Sequence, residues 1–549
     1  MNANDMLSSA WAAGYGRPAG TAHAVGDVKE PVPHAADVPC NEAGGRVGGA
    51  ASEPTPAPHV DGGAVPSDPL PERGPPDHNL LRAMELYQTP WLNPADVPTL
   101  RLNAIRISGL RNVRPWFLAA ICRPYVDPTA PASPLAVLYG DRTSSPLPGQ
   151  PTDFHALLEA ATAISGDLAR LDLVKDIAAQ LQPSQFDNGA HPTEVVDIVL
   201  QVKPASRFFL KTNTSVGNSE GTASIQGKLR NVFGGAETLE GSATLGTRTR
   251  HAYHAVFSSP VFASPELWGS ISLLAQDRDL TGYLSAHEAQ DVARAATMWT
   301  RGDGTRHELA YELGHRHFHH MLPGTSLGIR KLAKPTLKSA VSYTVEVDTR
   351  DDPLFTTAGR YVKGVLEYAG LGGDTSFVKA EGFSSISRAF GNGWAWSLGA
   401  RTGALHSLDG RPPCLSDRFM LGGPTCVRMF RLNSLGPKEQ QNSLGGDAYW
   451  VAGASLLMPF PRRPTWPVKL HSFINAGQLA QTERNPGLAQ RPFARSLAEL
   501  TQPSASVGLG LLFQQGPVRV ELNFGLPLVA RRGDGARKGL QFGVGVEFL

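Results

Sequence analysis

What the chain lacks narrows its class. No run in its 549 residues approaches about eighteen consecutive apolar side chains, which excludes a helical membrane span. The other membrane solution, a β-barrel, stays open, because barrel strands carry only alternating hydrophobicity. Cysteine is scarce: Cys40, Cys122, Cys414 and Cys426 are scattered and form no CxxC, so neither a zinc site nor a disulfide framework is encoded. Net charge is only +2, which gives no global attraction to nucleic acid or acidic lipid. The opening MNANDMLSSAWAAGYGRPAG has no basic segment followed by an apolar one, and no Arg-rich amphipathic pattern. Neither a secretory signal nor a matrix presequence is expected there. Catalytic signatures are missing as well: there is no GxSxG, no P-loop lysine and no spaced carboxylate pair. The expectation is a protein that is not an enzyme and holds no cofactor or metal. Acids such as Asp351, Asp352 and Glu521 read as loop or lumen polarity.

What is present falls into three regions. Residues 1–97 are rich in Gly, Pro and Ala and cannot bury enough apolar area to offset chain entropy, so they read as disordered. In 98–205, LRLNAIRISGL reads as a strand with Ile105 and Ile107 on one face, followed by a helical VRPWFLAAICRPYV. FHALLEAATAISGDLARLDLVKDIAAQL then places Leu157, Ala161, Ile164, Leu168 and Leu171 at helical spacing, and EVVDIVLQVKP alternates as a strand. This strand–helix–helix–strand unit predicts a small α+β domain, with Cys122 as a buried thiol. From 206 to 549 helices disappear and about sixteen period-two segments follow. VRVELNFGLPL alternates Val518, Val520, Leu522, Phe524, Leu526 and Leu528 with polar or small residues, and GLQFGVGVEFL does the same. Long strands with one continuous apolar face predict a mainly β fold, a sixteen-stranded antiparallel transmembrane barrel with lipid outside.

HELAYELGHRHFHH looks like metal chemistry, but it fails the HExxH spacing. In strand register His315, His317 and His319 continue the face of Leu309, Tyr311 and Leu313, where amphipathic rings suit a membrane–water boundary. LGGPTCVRMFRLNSLGP, residues 421–437, is harder to place. A phosphate cradle lacks a following helix N-terminus, and a disulfide loop needs Cys414 and Cys426 to meet. Further on come LGGDAYW at 444–450, FINAG at 473–477, and a last strand with the order Gln541, Gly543, Val546, Phe548.

These four features, in this order, resemble the barrel-assembly family of outer-membrane proteins, in particular its mitochondrial sorting and assembly branch. The family joins POTRA domains to a sixteen-stranded barrel, so the resemblance implies one POTRA-like domain at 98–205, facing the intermembrane space. It also implies a long lumenal loop whose tip is Val427, Arg428, Met429 and Phe430, with Met429 where the family has glycine. The partner motif F-x-D-x-G is matched by Phe473, Asn475 and Gly477. Asparagine there can accept a hydrogen bond from Arg428 but cannot pair as an ion, and Asp447, beside Tyr449, is the candidate for the missing charge. The implied function is insertion of β-barrel precursors into the mitochondrial outer membrane through a lateral gate. The precursor's terminal strand would pair at a seam between a first strand near 207–216, with Phe208, Phe209, Leu210 and Thr212, and a last strand weakened by Gly543 and Gly545. Implied partners are β-barrel precursors, outer-membrane lipid and accessory subunits, and no nucleic acid. A secretion pore of the same family and a passive channel are the alternatives.

Overall fold

The computed structural model describes residues 100–127, 148–184, 195–217, 220–352, 356–461, 463, 466–481, 499–515 and 518–545. The segment 1–97, and with it the reading of disorder, lies outside the described residues. The first unit comprises β1 (Leu100–Ser108), α1 (Pro115–Val126), β2 (Pro151–Thr152), α2 (Phe154–Arg170), β3 (Val174–Pro183) and β4 (Val195–Pro204). Its sheet runs β2-β1-β4-β3, with β1 parallel to β4. The apolar stripe of α2, Leu157, Ala161, Ile164 and Leu168, buries against Val196, Ile198 and Leu200 of β4. Cys122 packs on this core, and burial together with the Asp167 carboxylate pushes its thiol up to about 11, which leaves it unreactive.

Two local features differ from the sequence reading. The helix expected to continue to Leu181 stops at Arg170: Asp172 takes a left-handed φ of 54°, and the chain returns as β3 along β4. Residues such as Ile177 and Leu181 fit helical spacing equally well, and the exposed edge of β4 decides the outcome. In β1 a register shift between Leu102 and Ile105 moves the inward face from even to odd positions, so Leu100 and Leu102 share the core with Ile105 and Ile107.

The second unit is a meander. Its first strands are β5 (Phe208–Gly217), β6 (Glu220–Arg230), β7 (Thr238–Gly246), β8 (Thr249–Pro260) and β9 (Leu267–Asp279). Next come β10 (His287–Thr300), β11 (Arg306–His319), β12 (Thr336–Asp348), β13 (Gly359–Ala369), β14 (Phe377–Gly391) and β15 (Trp394–Ser407). A long loop follows, holding the two-residue strands β16 (Lys438–Glu439) and β17 (Asn442–Ser443). The meander ends in β18 (Ala448–Pro459), β19 (Val468–Ala480), β20 (Ser504–Gln515), β21 (Val518–Val529) and β22 (Gly539–Gly545). Sixteen of these pair as one sheet, each with its sequence neighbour, from β5 to β22. Helix is nearly absent here, as the sequence implies; a short α3 (Leu327–Leu332) sits in the loop after β11.

The sheet is inside-out relative to a water-soluble protein. On β21, Leu522, Phe524, Leu526 and Leu528 are 37–61% exposed, while Glu521 and Asn523 between them are fully buried. Ile271, Leu273, Leu309, Tyr343, Leu366, Leu398 and Leu509 extend the outward apolar belt around the other strands. A belt of this extent has no place in water. Twelve-residue strands such as β18, β20 and β21, tilted by about 40°, rise roughly 30 Å, the thickness of a bilayer core. Among the described residues no helix is long and apolar enough to cross a membrane; the strands do so.

The small domain docks at one end of the barrel. Arg230 Nε and Lys228 Nζ approach Asp172 at 2.8 and 2.9 Å, Asn231 donates to the Asn112 carbonyl, and Trp268 and Met298 join the domain's apolar core.

Candidate functional site

The loop between β15 and β18 folds back into the lumen and is tied down at several places, two of which are buried ion pairs with barrel strands. At the first, Asp417 receives both ends of the Arg316 guanidinium from β11, at 2.6 and 3.0 Å. Beside it Lys338 bridges Glu312 and Glu367 at 2.9 and 2.5 Å, and Ser416 hydrogen-bonds Glu288. Arg418 donates to the carbonyls of Pro413 and Leu444 and so fixes the loop's own fold. Every one of these charges has an opposite or a carbonyl within reach, which a buried lumen requires.

The second place is the tip. Val427, Arg428, Met429 and Phe430 are all buried. Arg428 forms a bidentate pair with Glu521 of β21, at 3.0 and 3.1 Å, with both side chains wholly shielded from solvent. Its third arm donates to Asn475 Oδ1 at 3.3 Å, and its guanidinium carbon lies 5.1 Å from the centre of the Phe473 ring. Asn523 donates to the same Glu521 and meets His471 at 2.7 Å. The carboxylate opposite Arg428 is therefore Glu521, a residue that sequence alone marks only as lumen polarity. Asp447, the residue expected to supply that charge, is buried where β15, β18 and β19 begin to diverge; its backbone bonds Leu405 and Ala480. Tyr449 does hold the loop, though away from its tip: its ring lies 4.7 Å from that of Phe419, a loop residue. Cys414 and Cys426 are free thiols, which corrects the disulfide alternative.

Met429 has φ of +65°, the left-handed conformation that glycine adopts without cost. The loop tip thus keeps the backbone turn a glycine would make. Its side chain occupies the space above Gly525, where an added Cβ would lie 2.9 Å from Met429 Sδ. Gly477 has a comparable role: a Cβ there would sit 3.1 Å from Val427 and 3.0 Å from Val451. Replacing Gly477 with valine should push Val427 and the tip away from β19, at about 1–3 kcal/mol for overpacking. Trypsin should then cut folded barrels at Arg431 far faster than it cuts the parent protein.

The tip also grips the last strand. Gln541 of β22 accepts from Met429 N at 2.8 Å and donates to the Phe430 carbonyl at 3.1 Å. The turn before β22 adds Arg431 N to Gly535 O and Arg537 N to Met429 O, both 2.8 Å. Gly543 and Gly545 lie on β22 opposite Glu521 and Arg519; Val546 and Phe548 lie outside the described residues.

The two ends of the sheet, β5 and β22, run alongside one another, yet among the described residues no backbone ladder joins them. On β5 all side chains from 208 to 214 are exposed, including Phe208, Phe209, Leu210 and Thr212, on both faces alike. Elsewhere in the sheet exposure alternates. A strand bare on both faces with one open edge is a template for another strand.

An Omp85 superfamily domain matches residues 231–548. A SAM50-like protein of Schizosaccharomyces pombe is 33% identical over 465 residues, 82% of this chain and 90% of that protein. The human sorting and assembly machinery component 50 homolog is 30% identical, across 70% of this chain and 81% of its own. Among solved structures, Haemophilus ducreyi BamA lacking POTRA domains 1–3 superposes with a TM-score of 0.63 at 14% identity, covering 81% of this chain and 85% of that one. That likeness is one of fold. With a sixteen-stranded barrel, an inward loop and relatives of this extent, the chain belongs to the SAM50 family within the Omp85 superfamily.

Proposed function

We propose that the protein assembles β-barrel precursors and inserts them into the mitochondrial outer membrane by strand pairing at the β5–β22 seam. The observation that carries this reading is β5, exposed on both faces and without a ladder to β22 among the described residues. A precursor strand laid on that edge gains backbone hydrogen bonds, while its apolar face enters lipid; both drive insertion without a nucleotide. The small domain is attached beside β5 and β6, as a POTRA-like receiver would be, and in this reading faces the intermembrane space. Accessory subunits complete the machine, and no bond-making chemistry is assigned to the chain. A passive channel fits less well, since the loop with its buried Arg428 and Asp417 occupies the lumen. Depletion in cells separates the readings. An insertase predicts that other outer-membrane barrels are lost and their precursors accumulate unassembled; normal barrel levels would overturn the assembly role and favour the channel.

A further inference from the structure

Near the strand ends remote from the small domain, three neighbouring strands bring Asp277 (β9), His287 (β10) and His319 (β11) onto the outward face. Each offers one donor atom, and the three atoms lie within 4.8 Å of one another. The register builds this arrangement. His287 stands directly between Asp279 and His319, and Asp277 lies diagonally across Ala289, whose methyl leaves the centre clear. His319 Nε2 is 3.1 Å from Asp277 Oδ1. Arg250 approaches the other oxygen, Oδ2, at 3.6 Å, so the two oxygens are divided between different neighbours.

A second observation points to a ligand. His287 directs Nε2 toward Asp279 at 3.7 Å, and its Nδ1 is buried without a hydrogen-bond partner. A buried imidazole nitrogen of this kind is costly unless something binds it. A carboxylate behind one ring nitrogen with the other nitrogen free is how proteins orient histidine toward a metal. Two imidazoles and one carboxylate form a donor set suited to zinc, with a fourth position left for water.

We propose that Asp277, His287 and His319 bind one divalent transition-metal ion of the Zn2+ type, oriented through Asp279. The ion would tie β9, β10 and β11 together on the face where the belt meets water. The donors need only close toward the roughly 3.3 Å spacing of a tetrahedral zinc shell.

The test uses the full chain, purified without a histidine tag and folded in detergent, dialysed against Zn2+ and assayed for bound metal by mass spectrometry. Co2+ absorption reports the geometry, and heat-modifiable gel mobility confirms folding of each variant. One Zn2+ per chain is expected, lost in His287→Ala and in Asp277→Asn and retained in His315→Ala, which alters the same face outside the triad. The milder Asp277→Asn serves if His287→Ala does not fold. Absence of bound zinc in the folded parent, or binding that survives Asp277→Asn, would overturn the assignment.

Discussion

Replacing Arg428 with alanine should unseat the lumenal loop and cost the folded barrel roughly 3–5 kcal/mol, since Glu521 would be left charged and buried without its partner. Glu521 and Arg428 are each 0% exposed, so water cannot compensate for the loss. Arg431, three residues on, is exposed, and its link to Gly535 runs through its backbone. Arg431→Ala should therefore stay within about 0.5 kcal/mol of the parent. Urea titrations followed by gel mobility compare the two variants directly; equal losses would rule out the anchoring role of Arg428. A double-mutant cycle sharpens the test. Arg428→Met combined with Glu521→Gln should be less damaging than Arg428→Met alone, because the second change removes the stranded charge. Precursor assembly should nevertheless remain impaired in the double variant, as the tip would have lost the pair that fixes its position.

The second large effect concerns the seam. β5 and β22 run in opposite directions, so the start of β5, with Phe209, lies toward the end of β22 that carries Val544. A cysteine pair at these positions, oxidised to a disulfide, should reduce insertion of a precursor to background, and reductant should restore it. Single cysteines should instead crosslink to an arrested precursor. Full insertion through a locked seam would show that the gate lies elsewhere or that no opening is needed.

Much of the barrel is legible in the sequence because a transmembrane strand writes its faces into alternation. The alternation of Leu522, Phe524 and Leu526 with polar and small residues is enough to say which side of β21 meets lipid. What alternation does not state is partnership across the lumen. Glu521 announces an inward charge, but its partner is 93 residues away on a loop whose path depends on the whole barrel. Asp447 is the candidate that its place at the start of the strand next to Asn475 suggests, and a neighbouring strand's start has little bearing on contacts across a tube. The Asp417–Arg316 pair, 101 residues apart, is hidden for the same reason. So is the pairing of His319 with Asp277: the histidine run is conspicuous, while its carboxylate partner lies on a different hairpin. The segment after α2 is ambiguous in another way, since Val174–Pro183 satisfies either period and only the waiting edge of β4 selects strand.

The two ion-paired holds on the lumenal loop have a mechanical meaning. With one foot on β11 and the other on β21 and β22, the loop is a cross-brace, and the strands it stands on are obliged to move as one frame. If the seam opens as proposed, a doorway framed in this way would have a fixed jamb and a swinging leaf. The jamb is β22, clamped through Gln541; the leaf is β5, to whose neighbour β6 the small domain is bolted through Asp172. In the proposed function, a force applied to that domain by an arriving chain would pass to β6 beside the seam, and through Trp268 and Met298 to β9 and β10 as well.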